Sequence, residues 1–378
     1  MKYRDFPAAG RQVSALGMGC MRMPTLEQEG NPIDRPKAIE LIRHLIDNGV
    51  TYVDTAYPYH DGKSEELVGE ALKDGYRERV VLATKLPVWL VKEHADMERY
   101  LDEQLRRLGT DHVDIYLAHA LDAQRFDEMV KLDLFGFMDE MVKKGKIRYP
   151  GFSFHDDAAV FRRIVDSYDW KVAQVQMNLL DEFNQATMEG VRYAAGKGIR
   201  IVVMEPVRGG ALVKSVPDEI RALYESGAPG RSAAEWAFRW LIDKPEFMTI
   251  LSGMSNLEQA DDNLRIFSAA EAGCLTESEK SVLEKVRKTY EARIQVGCTG
   301  CEYCMPCPQG INIPQIFKGY DTASMFGDFA DFCKRYNAME VNASACVGCE
   351  SCVDACPQHF KTPIPEMLKK IHAECFGK

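Results

Sequence analysis

The most constraining feature of this sequence is an alternation of short apolar runs with longer amphipathic segments between about residues 10 and 270. Most of the short runs are apolar or β-branched and end in polar or glycine residues, which is typical of buried strands. The predicted strands are Ala15–Gly19, Thr51–Asp54, Val80–Thr84, Val113–Leu117, Ile147–Ser153, Val172–Gln176, Ile199–Glu205 and Met248–Gly253.

The segments between these strands have helical periodicity. The predicted helices are Arg35–Asn48, Glu65–Lys73, Lys92–Leu108, Phe126–Lys144, Asp156–Ser167, Asn184–Lys197, Ser232–Ile242 and Asn256–Ala269. Eight strand–helix units in about 255 residues predict an α/β fold of the (β/α)8 TIM barrel type. A doubly wound open sheet is the alternative. A predicted hairpin of Lys2–Phe6 and Gln12–Leu16 precedes the barrel, and we expect it to cap the barrel's bottom.

The chain is expected to divide into three parts. Residues 1–272 form the barrel, residues 273–296 form a helical connector, and residues 297–378 form a small, mainly α-helical ferredoxin-like domain. The predicted helices outside the barrel are Glu277–Ile294, Ile313–Tyr320 and Phe326–Tyr336.

Cysteine is very unevenly distributed along the chain. Residues 1–273 contain only Cys20, whereas the other eleven of the twelve cysteines follow. A secreted disulfide framework would not leave the longer part of a chain nearly free of cysteine. The C-terminal third therefore has a chemistry of its own.

Two cysteine runs account for eight of these residues. The second run fits the ferredoxin pattern C-x2-C-x2-C-x3-C-P, whereas the first has two residues before its last cysteine. Because the fourth cysteine of each run ligates the other cluster in such proteins, we expect two [4Fe–4S] clusters. The predicted ligand sets are Cys298, Cys301, Cys304 and Cys356 for one cluster, and Cys307, Cys346, Cys349 and Cys352 for the other. Zinc is the alternative. The remaining Cys20, Cys274, Cys333 and Cys375 are predicted to be buried apolar residues.

The overall composition is that of a globular protein. The chain is 46% hydrophobic and 28% charged, with a net charge of −10, which does not suggest a nucleic-acid surface. The N-terminus has no apolar run of signal-peptide length, and no stretch is apolar enough to span a bilayer. We therefore expect a cytoplasmic protein with neither nucleic-acid nor membrane partners.

Four polar residues stand at or just after the predicted ends of three adjacent strands, where barrel enzymes carry their catalytic groups. They are Asp54, Tyr59, Lys85 and His119. A lysine ammonium favours the phenolate of a nearby tyrosine, so we expect the pKa of Tyr59 to be lowered. Asp54 can pair with Lys85, and His119 can hydrogen-bond a substrate oxygen. Each residue alone has a structural alternative, but together they indicate a general acid for carbonyl reduction.

With these four residues in this order, the sequence resembles the aldo/keto reductase family over roughly residues 10–268. The motifs that carry the resemblance are Leu16-Gly-Met-Gly-Cys-Met-Arg22, Asp54-Thr-Ala with Tyr59 and Gly62-Lys-Ser-Glu65, Ala83-Thr-Lys85, Leu117-Ala-His119, Gly151-Phe-Ser153, Gln174–Asp181, and Gly253 with Asn263-Leu264. The cysteine-rich tail is similar to that of a subgroup carrying iron–sulfur clusters. The resemblance implies a nicotinamide cofactor across the barrel mouth and the four residues above as the catalytic set.

The resemblance also implies cofactor contacts. Ser153 and Gln174 match residues that hold the nicotinamide carboxamide, whereas Phe154 replaces the usual asparagine and Met204 replaces the stacking aromatic residue. Arg208 lies in the phosphate-loop position, and Gln259 stands where a cation commonly meets the 2′-phosphate of NADPH, which leaves NADH plausible. The full set of implied contacts is Gly19, Cys20, Met21, Ser153, Gln174, Met204, Pro206, Arg208, Gly210, Gly253, Gln259 and Asn263.

The leading interpretation is an NAD(P)H-linked oxidoreductase that interconverts a small carbonyl compound and its alcohol. Its clusters would exchange electrons with a ferredoxin- or flavodoxin-like partner or with an added flavin, or would be structural or sensory. The alternatives are an electron-transfer iron–sulfur protein whose barrel is a docking scaffold, and an interaction protein with a zinc-binding tail.

Overall fold

The computed structural model describes residues 1–358 and 360–376. Within these residues, eight parallel strands form a closed barrel, in which the last strand pairs with the first to complete the ring. An antiparallel hairpin of two further strands precedes the barrel. The strands are β1 Tyr3–Phe6, β2 Arg11–Ser14, β3 Leu16–Gly19, β4 Tyr52–Asp54, β5 Val81–Leu86, β6 Val113–Leu121, β7 Ile147–Phe154, β8 Val172–Gln176, β9 Arg200–Met204 and β10 Phe247–Ser252. The (β/α)8 prediction is confirmed, and the open-sheet alternative is wrong.

The hairpin closes one end of the barrel, as expected. Phe6 and Val13 are fully buried and pack with residues in the first half of the barrel strands, such as Val81 and Ile115. Arg4 donates hydrogen bonds to main-chain carbonyl oxygens in and just before β10, including that of Phe247. The opposite, carboxyl end of the barrel carries the polar residues singled out above.

Helices alternate with the barrel strands, and further helices follow them. They are α1 Arg35–Asp47, α2 Ser64–Ala71, α3 His94–Leu108, α4 Ala123–Lys131, α5 Leu134–Lys143, α6 Ala158–Ser167, α7 Thr187–Gly196, α8 Ala211–Lys214, α9 Asp218–Gly227, α10 Ala233–Ile242, α11 Leu257–Ala269, α12 Glu277–Ala292, α13 Ile313–Phe326, α14 Phe329–Asn337, α15 Ser351–Ala355 and α16 Ile364–Phe376. In the described part of the chain, no helix is long and apolar enough to cross a membrane.

The single helix predicted over Phe126–Lys144 is wrong, because it is two helices. Asp133 has a left-handed backbone (φ 60°), which ends α4 and lets its side chain accept a hydrogen bond from the amide of Gly136 in the first turn of α5. Such Asp caps compete with a continuing helix.

The chain forms two compact units, and the predicted division differs from them. The first unit contains residues 1–209 and 234–277, and the second contains residues 210–233 and 278–378. The segment 210–233 was predicted as part of the barrel, but its helix α9 is joined to the end of α12 by the Glu219–Arg293 ion pair of 2.5 Å. The predicted connector helix, here α12, also belongs to the second unit apart from its first residue.

The second unit has its own apolar core, built from α13, α14 and α16 around side chains such as Phe317, Tyr336 and Ile371. Cys333 of α14 and Cys375 of α16 are half-buried and form a disulfide. The prediction that both are simply buried apolar residues is therefore wrong. Cys274 is also only half-buried, whereas Cys20 is fully buried as predicted.

Packing of α2 against α3 depends on the absence of a side chain at Gly69. A Cβ there would lie 2.5 Å from the carbonyl oxygen of Leu108. We expect Gly69→Ala to destabilise the first unit by about 1–3 kcal/mol through overpacking, measured as a lower Tm. Gly196→Ala is the matched control, because nothing lies within 4 Å of the added methyl group in α7. Equal Tm values for the two variants would contradict the prediction.

Candidate functional site

The structure brings Asp54, Lys85 and Tyr59 together at the carboxyl end of the barrel. Lys85 is fully buried, and its Nζ donates hydrogen bonds to Oδ1 of Asp54 at 2.6 Å and to the carbonyl oxygen of Thr55 at 2.8 Å. The same ammonium lies 4.9 Å from the ring centroid of Tyr59 and interacts with its hydroxyl. An ammonium has three N–H donors. Asp54 and Thr55 accept hydrogen bonds from two of them, which leaves the third for the hydroxyl of Tyr59.

His119 of β6 completes this group. Its ring lies edge-on to Tyr59, with centroids 6.2 Å apart, and 5.1 Å from the partly exposed ring of Trp89. Its Nδ1 is buried and has no hydrogen-bond partner among the described residues. Leaving a buried polar atom without a hydrogen-bond partner destabilises a protein. A bound ligand that hydrogen-bonds to Nδ1 would remove this cost.

The ionisation of these groups follows from their burial. Burial raises the pKa of Tyr59 and the Lys85 ammonium lowers it, with a net upward shift. The expected lowering is therefore wrong for this structure, although the contribution of Lys85 has the expected sign. A raised pKa keeps the phenol protonated at neutral pH, which is the form that a general acid needs.

Burial, with the nearby charge of Lys85, holds the pKa of His119 well below its usual range, so its imidazole is neutral. Burial alone would also lower the pKa of Lys85, but Asp54 and Tyr59 raise it, and the ammonium keeps its charge.

Ser153, Gln174 and Met204 lie on three successive strands. Ser153 pairs with Gln174 in the β7–β8 register, and its Oγ accepts a hydrogen bond of 2.7 Å from the amide of Ala120. Gln174 Nε2 lies 3.7 Å from the sulfur of Met204, while its Oε1 is buried without a partner among the described residues. The free amide oxygen can accept a hydrogen bond from a ligand. Phe154 is fully buried against Phe161 and belongs to the core.

Other implied cofactor contacts lie on glycine-containing loops. The backbone after β9 is left-handed at Arg208 and Gly209, while Gly210 is grouped with the second unit. Gln259 Oε1 accepts a hydrogen bond from the amide of Ser255, and Asn263 donates to Ser252 Oγ at 2.9 Å.

The N-terminal motif holds further residues that the resemblance implies as cofactor contacts, and beside them one candidate that sequence reasoning missed. Within the motif, Gly19 ends β3, Cys20 is buried with its amide bonded to the carbonyl oxygen of Asp54, and Met21 is exposed. The missed residue is Arg22. A Cβ at Gly209 would lie 3.2 Å from its Nη2, and a Cβ at Gly253 would lie 3.1 Å from its Cβ. Its place in the motif beside Gly19–Met21 was the available signal.

In the second unit, the eight cysteines of the two runs line two cavities. One, of about 180 Å3, is lined by Cys307, Cys346, Cys349 and Cys352, and the other by Cys298, Cys301 and Cys356. Cys304 borders both. The two runs share one backbone feature, since Glu302 and Glu350, each following the second cysteine, both have φ 61°.

Comparison with known proteins agrees with both parts of this description. Residues 15–279 match the model of the aldo/keto reductase family, and residues 297–360 match a 4Fe-4S dicluster domain. The second match contradicts the zinc-tail alternative.

Individual relatives match about three quarters of the chain. An uncharacterized oxidoreductase of Bacillus subtilis, YqkF, is 25% identical over an alignment of 321 residues, with 76% of this chain and 97% of that protein covered. The solved aldo-keto reductase AKR11C1 of Bacillus halodurans is 27% identical with a TM-score of 0.64, covering 76% of this chain and 96% of that one. An aldo/keto reductase of Klebsiella pneumoniae, solved with NADP and acetate, is 26% identical with a TM-score of 0.62, covering 76% and 95%.

The family match covers well over half of the chain, and the barrel and its polar carboxyl end agree with it. The chain belongs to the aldo/keto reductase family of oxidoreductases, and a 4Fe-4S domain follows its barrel in the sequence.

Proposed function

We propose that this chain is an NAD(P)H-linked reductase that interconverts a small carbonyl compound and its alcohol. The observation that carries the proposal is the buried Asp54–Lys85 pair facing the protonated phenol of Tyr59, with the neutral imidazole of His119 beside it. These are the groups that proton delivery to a reduced carbonyl oxygen requires.

The chain's residues divide the chemistry as follows. A nicotinamide, when bound, supplies the hydride for the carbonyl carbon. Tyr59 donates its proton to the carbonyl oxygen, and the Lys85 ammonium stabilises the phenolate that remains. Asp54 holds Lys85 in place and keeps it charged. His119 is neutral, so it orients the carbonyl oxygen by a hydrogen bond without competing for the proton.

The barrel mouth fits a dinucleotide. The unpartnered Oε1 of Gln174 suits the amide N–H of a carboxamide, and the glycine backbones at 209 and 253 leave space beside the Arg22 guanidinium for a pyrophosphate. Gln259 is uncharged and bonded within its own turn, which gives a 2′-phosphate no cation there.

We propose further that the second unit binds two [4Fe–4S] clusters, which supply one-electron transfer or structural cross-linking when bound. The cavity lined by Cys307, Cys346, Cys349 and Cys352 agrees with one predicted ligand set. The other set, Cys298, Cys301, Cys304 and Cys356, lines the second cavity. The crossed use of the fourth cysteines therefore fits the backbone despite the short spacing before Cys307.

The electron-transfer alternative, in which the barrel only docks a partner, leaves the buried catalytic group without a role. A flavin, a ferredoxin- or flavodoxin-like partner and a cytoplasmic location stay predictions.

Tyr59→Phe removes the proton donor while keeping the ring. We expect kcat for NAD(P)H-dependent reduction of an aldehyde panel to fall by about 100-fold or more, with coenzyme affinity unchanged, measured anaerobically. Tyr57→Phe is the control, because the Tyr57 hydroxyl donates a hydrogen bond to Glu103 of α3 and its ring packs on Arg107. Full turnover by the Tyr59 variant would refute the mechanism.

His119 should stay neutral in mildly acidic solution. Because its pKa is depressed, the folded chain takes up no proton there as pH falls from 8 to 5.5, whereas an unfolded chain would protonate near pH 6.5. The unfolded chain therefore binds the extra proton, and His119 lowers the free energy of unfolding as pH falls below about 6.5. We expect its NMR ring resonance, assigned with His119→Asn, to stay constant over this range, with N-acetylhistidine as the titrating reference. A titration midpoint of the His119 resonance above pH 6 would contradict the neutral state proposed for this imidazole.

The cluster proposal predicts about eight iron atoms per anaerobically purified chain. Cys298→Ser and Cys356→Ser should alter the same cluster signal in electron paramagnetic resonance, although they lie in different runs, whereas Cys346→Ser alters the other. Cys274→Ser, outside the runs, should keep all the iron. About four iron atoms in the unaltered chain, or pairing of Cys356 with Cys346, would overturn this assignment.

A further inference from the structure

A buried polar network lies directly behind Lys85, and the chemistry above does not use it. Its members are Glu65 of α2, Thr84 of β5, Gln104 of α3 and Tyr116 of β6, and all four side chains are fully buried. The Ser64-Glu65 part of the Gly62–Glu65 motif thereby lies beside β5 and β6, although the sequence alone indicated no role for it.

Gln104 is the centre of this network. Its Nε2 lies 2.6 Å from Glu65 Oε1, 3.1 Å from Thr84 Oγ1 and 3.0 Å from the carbonyl oxygen of Lys85. Its Oε1 accepts a hydrogen bond of 2.7 Å from the hydroxyl of Tyr116. This orientation of the amide is fixed, because a flipped group would place its oxygen against the Glu65 carboxylate.

Glu65 is the acceptor on which these donors converge. Thr84 Oγ1 donates to Oε1 at 2.7 Å, and Arg107 donates to Oε2 at 3.2 Å and supplies the compensating charge. A buried carboxylate needs such partners. Its three donors come from β5 and α3, so Glu65 joins α2 to both elements.

The first turn of α2 also holds the segment that carries Tyr59. The amide of Ser64 donates to the carbonyl oxygen of Tyr59, and Ser64 Oγ lies 2.8 Å from Thr55 Oγ1. The β4–β5 pairing ends at Asp54 opposite Ala83, so β4 gives Lys85 no further strand neighbour. The hydrogen bond from Gln104 to the carbonyl oxygen of Lys85 therefore holds the backbone where β4 no longer pairs with it.

We propose that Glu65 and Gln104 are positioning residues that set the distance between the ammonium of Lys85 and the phenol oxygen of Tyr59. The inference rests on the proposed function, since it concerns the same proton donor. Both side chains are fully buried, so each would act through Lys85 and through the Tyr59 segment.

Gln104→Met tests this inference, because it keeps the volume of the side chain and removes all its hydrogen bonds. We expect kcat to fall by about tenfold or more, because small misplacements of a catalytic group are costly, with KM for NAD(P)H unchanged. In the alcohol-oxidation direction, the pH profile of kcat should move to higher pH, because Tyr59 loses part of the stabilisation of its phenolate. Thr84→Val, which removes one hydroxyl, should show a smaller shift of the same sign and covers a failure of the first variant to fold.

Asp114→Asn is the matched control for stability. Asp114 is a buried carboxylate near the start of β6, paired with Arg77 and Arg148 at 2.9 Å each. The Asp114→Asn substitution should lower Tm without shifting the pH profile of kcat. If Gln104→Met lowers Tm and leaves kcat and the pH profile unchanged, the network is only structural and the inference is wrong.

A second readout needs no turnover. With 3-fluorotyrosine incorporated, the fluorine resonance missing in Tyr59→Phe identifies Tyr59, and fluorination brings the phenol titration to lower pH. Gln104→Met should raise its midpoint relative to the unaltered chain. An unchanged midpoint would overturn the positioning role. Absence of any NAD(P)H-dependent carbonyl reduction by the unaltered chain would instead overturn the proposed function.

Discussion

The ion pair of Lys85 with Asp54 is the interaction on which the rest of the site depends. A buried ammonium is strongly destabilising unless it is paired and hydrogen-bonded, and here Asp54 and the carbonyl oxygen of Thr55 supply both partners. The two residues lie on neighbouring strands, so the pair forms only when the sheet has this register. The positive charge of Lys85 also acts on its surroundings. It lowers the pKa of His119 and opposes the rise that burial causes in the pKa of Tyr59.

Much of the barrel was predictable because its strands are short, buried and rich in β-branched residues. Val172–Gln176 was predicted with its observed bounds, and the four candidate catalytic residues were selected from their position at strand ends. The break at Asp133 was not, because a left-handed residue leaves the apolar periodicity on either side intact. The net pKa shift of Tyr59 was predicted with the wrong sign, because sequence shows a neighbouring charge more readily than the degree of burial.

The network around Gln104 was out of reach for a related reason. Its contacts join residues 12 to 42 positions apart on different elements, and no local pattern marks a buried glutamine as a hydrogen-bond donor to a strand. The cysteine runs were the opposite case, because their ligands are close in sequence and the spacing itself has chemical meaning. Cys333 and Cys375 lie outside any such spacing, and only the packing of α14 and α16 brings them together.

The composition of the second unit has a consequence for how the gene can be divided. Its parts, 210–233 and 278–378, are separated in the chain by the last strand of the barrel. A fragment starting at residue 278 lacks Glu219, which pairs with Arg293, and also Arg231, which pairs with Glu279. No single cut therefore releases either unit whole, and a simple end-to-end fusion of two genes does not reproduce this architecture. During synthesis, residues 210–233 leave the ribosome before the rest of the second unit, so this unit can be completed only after the last barrel strand has been made.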